Sequence, residues 1–271
     1  MKNRIVLEVL MCRPTYYSIS YTINPWMIPG SENKNMAQIQ WENLVATYRS
    51  LGIKVNFLDQ QQGLPDMVFS TDEGIVFKKK VVVSNFRYPQ RRRERSPYLE
   101  WFEKHGFKPT FLPKGIFFEG SGDCLFFNHL AFVGTGFRTS KKAAEFLSAK
   151  LDIEVFPLQL INPYFFHLDT ACFPLNSETA FYYPEAFDEK SQKILKKVVP
   201  NLIALTAFEA RNFAANSVVT DHQVIINRNL PTFANTLAKL GYLPIEVDLN
   251  EFKKAGGAAH CLTNVLKEVE K

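Results

Sequence analysis

Cysteine is scarce in this chain: four residues in 271, at Cys12, Cys124, Cys172 and Cys261. That density is far below a disulfide framework. None of the four forms a C-x-x-C pair, so neither a zinc nor an iron–sulfur site is signalled. Free thiols suit a reducing compartment, and a cytoplasmic protein is expected. Also missing is any stretch approaching the ~18 apolar residues of a membrane span, so no membrane partner is expected. Met1-Lys-Asn-Arg4 leads into a short apolar run that Glu8 interrupts, a better buried strand than a signal peptide. Strong charge of one sign is absent too. The net charge of +5 does not by itself imply nucleic acid. What remains is an ordinary globular composition, 46% hydrophobic and 22% charged, with ample length for a large core.

The chain repeats itself faintly. Asp123-Cys-Leu-Phe-Phe, a turn and Leu130-Ala-Phe-Val-Gly precede a helix candidate at 139–150 and a strand from Ile153. Asp169-Thr-Ala-Cys-Phe-Pro-Leu, a turn and Thr179-Ala-Phe-Tyr-Tyr precede a helix at 188–199 and a strand at Leu202. Asn216-Ser-Val-Val and Val224-Ile-Ile-Asn precede a helix from Pro231, a good first helical residue, and a strand at Leu243. A longer copy opens with strands at Asp66-Met-Val-Phe and Val81-Val-Val-Ser, followed by a helix at 95–105 and a strand at Phe107. The N-terminal part supplies a helix at 37–50 and a strand at Ile53. Its missing first strand is available from the far end, Cys261-Leu-Thr-Asn-Val-Leu. Starts at Asp66, Asp123, Asp169, Asn216 and Cys261 lie 45 to 57 residues apart. A unit of that size cannot bury its sheet alone, so units pack on one another, and the last strand can close a ring. The expectation is one α/β domain over residues 1–271, a five-fold pseudo-symmetric α/β propeller of ββαβ units. Strand–helix–strand recurrence of any α/β protein is the plainer reading. A ring would gather groups near the unit starts into one axial cavity.

Several of those groups carry chemistry. If Phe165–Asp169 is a strand, His167 and Asp169 share a face; a structural hydrogen bond between them is the bland alternative. Glu119-Gly-Ser-Gly-Asp123 sets two carboxylates inside an apolar run, either solvated at a turn or buried with partners. Gly256-Gly-Ala-Ala-His-Cys261 clears space before a cysteine, which is otherwise an ordinary buried thiol. His260 would point away from Cys261 in a strand. Asp66 and Asp72 share a face if their segment is extended. Arg87, Arg91 to Arg95, and Arg138 form either a solvated face or an anion site, since arginine binds carboxylates bidentately.

In their order along nearly the whole chain, these motifs resemble the guanidine-modifying superfamily of dimethylarginine dimethylaminohydrolases, arginine deiminases and amidinotransferases. The matching segments are Arg13-Pro-Thr, Ile23-Asn-Pro-Trp-Met, Pro65-Asp-Met-Val-Phe-Ser-Thr-Asp72, Phe86-Arg-Tyr-Pro-Gln-Arg-Arg, Phe118-Glu-Gly-Ser-Gly-Asp123, Gly136-Phe-Arg-Thr, His167-Leu-Asp169 and Gly256-Gly-Ala-Ala-His-Cys261. The resemblance implies a five-bladed α/β propeller. It implies Cys261 as nucleophile, His167 as general acid and base, and Glu119 as the carboxylate that orients it. Asp72 and Asp169 would hold the guanidinium, Arg91 and Arg138 the substrate carboxylate, with Asn24 at the rim and Asp123 among the substrate-binding candidates. No metal or organic cofactor is implied. The loop from Glu119 is one residue longer than the Asp-Gly-Gly-Asp form of mammalian dimethylarginine enzymes. The N-terminal motifs look closest to the arginine dihydrolase branch, which releases ornithine. That branch usually has asparagine where Asp72 stands, so hydrolysis of arginine or a methylated arginine that stops at citrulline is the expected reaction. Amidino transfer to an amine, a non-catalytic binding protein and a nucleic-acid binder are the rivals. The modest charge and the intact set of reactive residues weigh against the last two. Homo-oligomerisation stays open.

Overall fold

The computed structural model describes residues 3–270. Five three-stranded sheets are present, each with the same topology. In chain order after the first, they comprise Gly74–Phe77, Lys80–Val83 and Lys108–Phe111; Cys124–Phe127, Leu130–Thr135 and Glu154–Gln159; Cys172–Pro174, Thr179–Tyr182 and Asn201–Ala204; and Val218–Thr220, Gln223–Asn227 and Leu243–Val247. In each, the first two strands form an antiparallel hairpin and the third joins in parallel through a helical crossover. The first sheet centres on Arg4–Cys12, parallel to Lys54–Leu58 and antiparallel to the C-terminal strand Asn264–Glu270. The far end of the chain therefore completes the first unit, as the repeat requires.

Local signals explain the elements. Three of the hairpins turn through a residue of positive φ, Lys78, Asn128 or Asp221, and the last two are types that tolerate the left-handed region. The crossover helices are Lys34–Ser50, Arg95–Lys104, Lys142–Leu151, Glu189–Val198 and Pro231–Lys239. Asn33 and Asp188 cap two of them by accepting from the N–H of Met36 and Ser191. The first helix therefore begins at Lys34, a turn earlier than expected. Each sheet buries its faces against neighbouring units. One apolar cluster joins the third to fifth sheets around Phe132, Phe181 and Phe233, and others fill the remaining seams.

Three expected strands are not strands. Pro65–Val68 and Ser70–Glu73 are successive 3-10 turns, and the strand starts only at Gly74. Pro65 fixes φ at the first turn, and Ser70, Thr71 and Asp72 are short polar residues that favour turns over ladders. Leu168–Thr170 is likewise a 3-10 turn. Cys261 lies in a turn that ends before Asn264. These non-strand segments sit where the unit starts converge. No helix among the described residues is long and apolar enough to cross a membrane.

Candidate active site

The segment before each first strand points its polar side chains inward. His167 Nε2 lies 2.8 Å from Glu119 Oε2, and its Nδ1 lies 3.4 Å from Asp72 Oδ1. All three side chains are buried. Glycines make this approach possible. A Cβ on Gly120, at φ +55°, would lie 2.5 Å from the Thr71 carbonyl oxygen, and one on Gly257 only 3.1 Å from the Cys261 sulfur. The residues around Gly120 form a single helical turn, Gly120–Asp123, which absorbs the longer loop and leaves Glu119 on His167.

The electrostatics follow from burial against partners. Burial opposes ionisation of Glu119. The Arg138 guanidinium, 2.8 Å from Oε2, and His167 overcome it and hold Glu119 well below the usual carboxylate range. Burial would lower His167, yet Asp72, then Asp123 and Glu119, raise it to about 9. His167 is thus an imidazolium at neutral pH, able to donate a proton. Burial, and after it Asp169 and Asp72, push the Cys261 thiol well above its ordinary range. Its sulfur lies 3.2 Å from Asp169 Oδ2 and 3.1 Å from Asn216 Nδ2.

The arginines are more deeply committed than their sequence context suggests. Arg91 is buried, not a solvated loop residue. It donates through Nη1 to Asp72 Oδ2 at 2.5 Å and through Nε and Nη2 to Glu94 Oε2 at 3.0 and 2.9 Å, with Nη2 also meeting the Asp66 carbonyl oxygen. Arg138 donates to Glu119 and to the Ile23 carbonyl oxygen, while its buried Nε has no acceptor. Asn24, Asp72, Arg91, Arg138, His167 and Cys261 line one cavity. Asn24 shapes its rim from the backbone side, donating to the Ala255 carbonyl oxygen and accepting from Trp26 N–H. Asp169 touches Cys261 from behind this cavity. Asp123 does not line this cavity; its Oδ1 accepts the Leu168 N–H and so holds the turn that carries His167.

Two residues were not among the candidates. Asn216 Oδ1 accepts from the N–H groups of both Ala258 and Cys261 while its Nδ2 faces the sulfur, clamping the cysteine turn. Its place at a unit start, equivalent to Asp123 and Asp169, was the available signal. His260 donates or accepts at 2.8 Å from Asp169 Oδ2. A strand would point it away from Cys261, whereas the turn at Cys261 brings it onto Asp169.

A family model described as N,N dimethylarginine dimethylhydrolase, eukaryotic, matches residues 16–267. The chain belongs to this family. Its members are guanidino-group hydrolases of the five-bladed α/β propeller class. The chain is similar to the bifunctional arginine dihydrolase/ornithine cyclodeaminase AgrE of Nostoc sp., 38% identical over 269 residues, which cover 97% of this chain and 38% of that protein. It is 38% identical over 264 residues to the corresponding ArgZ of Synechocystis sp., covering 95% and 37%. This chain thus spans less than two fifths of the length of these cyanobacterial relatives. It is 35% identical over 254 residues to the N(G),N(G)-dimethylarginine dimethylaminohydrolase of Mycobacterium tuberculosis, covering 93% and 83%. The N-terminal domain of ArgZ bound to its substrate superimposes with a TM-score of 0.94 at 36% identity, covering 96% of this chain and 98% of that one. A dimethylarginine dimethylaminohydrolase adduct, 20% identical with a TM-score of 0.80, shares the fold.

Proposed function

We propose that this chain hydrolyses the guanidino group of free arginine through a covalent Cys261 adduct and carries the reaction on to ornithine. The observation that carries the chemistry is the buried convergence of Cys261, the His167–Glu119 pair, and the two acids Asp72 and Asp169. A guanidinium is planar and a poor electrophile. Two carboxylates fix its plane over the sulfur, and such positioning supplies several kcal/mol of a barrier. The cation also offsets the acids that hold Cys261 as a thiol, so substrate binding promotes the thiolate. Sulfur bonds to the guanidinium carbon, His167 protonates the departing nitrogen, and ammonia leaves. Water then adds to the carbon of the thiouronium adduct, gives a proton to His167, and the C–S bond breaks to leave the ureido group. A second round on that group yields ornithine, carbon dioxide and another ammonia.

Arg91 has a particular place in this reading. Its guanidinium already rests on Asp72, where the substrate guanidinium would bind, and the cavity is small, about 20 Å³. Substrate entry exchanges one guanidinium for another and frees Arg91 to meet the substrate carboxylate. The unsatisfied Nε of Arg138 supplies a second donor, favouring arginine over agmatine.

Arrest at citrulline, expected from Asp72, is less well supported than continuation, because AgrE and ArgZ are both described as arginine dihydrolases. The protonation state of Asp72 bears on the choice. An ionised Asp72 repels a ureido oxygen, whereas its protonated form or an asparagine donates to it. Burial raises the Asp72 pKa despite the opposing pull of His167 and Arg91. The ornithine share should therefore rise as pH falls, and Asp72→Asn should raise it at every pH. Product analysis by mass spectrometry with arginine, dimethylarginine and agmatine tests the whole reading. Ornithine from arginine is the expected result, citrulline alone selects arrest, and no product from any of the three sinks the proposal.

The pH profile offers a further check. Because His167 must be protonated to release ammonia and its carboxylate neighbours raise it to about 9, kcat/KM for arginine should fall as pH rises through that value. A profile that stays flat between about pH 8 and 10 removes His167 as the acid.

A further inference from the structure

The proposed chemistry traps a small molecule. When the C–N bond breaks, ammonia is set free beside Cys261 while the rest of the substrate, bonded to sulfur, fills the substrate-side cavity. Water must then reach the same carbon. Space for either lies on the axial side of Cys261, beyond Asp169.

A second cavity, of about 330 Å³, occupies the axis there. The first strand of every sheet contributes to its wall, with Ile75, Leu125, Phe173, Val219 and Val265 as one residue from each. Its inner end carries Thr71, Asp169 and His260, and it reaches the exposed hairpin residues Lys78 and Asn128. Two polar atoms in this wall, Thr71 Oγ1 and Asp169 Oδ1, are buried without a hydrogen-bond partner in the protein. Such atoms are where a small polar molecule binds.

A single carboxyl group separates the two spaces. Asp169 Oδ2 meets the Cys261 thiol on one side, at 3.2 Å, and His260 Nδ1 on the other, at 2.8 Å. Cys261 lines only the substrate-side cavity and His260 only the axial one.

We propose that the axial cavity is a conduit through which ammonia leaves and hydrolytic water enters while the adduct blocks the substrate side, with the His260–Asp169 pair as its inner gate. The inference rests on the Cys261 chemistry above. Ammonia exit and water entry both follow C–N cleavage, so narrowing the conduit slows adduct hydrolysis and leaves the cleavage step unchanged.

Rapid-quench mass spectrometry of the intact protein mixed with arginine follows the adduct directly. Val265→Trp narrows the conduit within the wall, and Lys267→Trp narrows it from an exposed position that tolerates a large side chain. Both should form the adduct at the wild-type rate and lose it about ten-fold more slowly, so that most of the enzyme carries adduct during turnover. Adduct loss at the wild-type rate in either variant with a wild-type melting temperature overturns the conduit. Equal slowing of formation and loss overturns it as well, because that is damage to the site. Absence of adduct in the wild-type protein overturns the Cys261 chemistry and the conduit together.

Discussion

Cys261→Ser will lower arginine turnover by on the order of 10⁴-fold or more while arginine still binds. The serine hydroxyl fits the same turn, because the backbone N–H of Cys261 is held by Asn216 and not by the sulfur. The acids that orient the guanidinium are untouched. What is lost is ionisation: a thiol already raised by burial, Asp169 and Asp72 can be brought to the thiolate by a bound cation, and an alcohol in the same place cannot. Calorimetry should find arginine affinity within a few-fold of wild type, roughly the scatter of a conserved contact set. Retention of more than about a tenth of wild-type turnover would remove Cys261 as the nucleophile.

Arg91→Met will destabilise the fold by about 3–5 kcal/mol at neutral pH, the effect of stripping the partner from buried ions. Arg91 is the cation among four buried acids. Asp72 and Glu94 pair with it directly, Glu73 lies 3.7 Å away, and Asp66 is adjacent. Burial, and then Glu94, push Glu73 well above the usual range; burial likewise raises Glu94 to about 7. Without Arg91, the folded-state pKa values of Asp72 and Glu94 rise further above their unfolded values. Groups shifted in that direction contribute their full stability below the unfolded pKa and lose it as pH rises. The stability deficit of Arg91→Met should therefore shrink as pH falls from about 7 toward about 4. Denaturant melts at several pH values check this. An equal deficit throughout, or one under about 1 kcal/mol, contradicts the placement of Arg91 as the counter-ion of the cluster.

The ring was legible because each unit repeats a pattern that local chemistry enforces. A hairpin, a crossover helix with a definite start such as Asn33, Asp188 or Pro231, and a third strand recur five times. The convergence of unit starts on one axis followed from that symmetry. The unit starts themselves misread as strands. Met67-Val68-Phe69 has the apolar character of a strand, but Pro65 and the polar residues from Ser70 to Asp72 bend it into 3-10 turns. His167 and Asp169 do reach one site, although the extended backbone that suggested it ends at His167. Arg91 was harder to read. Its partners Asp66, Asp72 and Glu73 lie far from it in sequence, so nothing local distinguishes a buried ion cluster from a solvated basic run. Asn216 and His260 escaped for a related reason, since their roles depend on how the cysteine turn meets two other units.

The proposed reaction stands or falls on a covalent bond between the Cys261 sulfur and the guanidino carbon. The most direct test is to quench the wild-type protein with acid during turnover of arginine, digest it, and weigh the peptide that contains Cys261. A mass gain of one arginine less one ammonia on that peptide, with citrulline or ornithine in the supernatant, is the predicted result. Product release with Cys261 unmodified at every time point, and unchanged in Cys261→Ser, would contradict it.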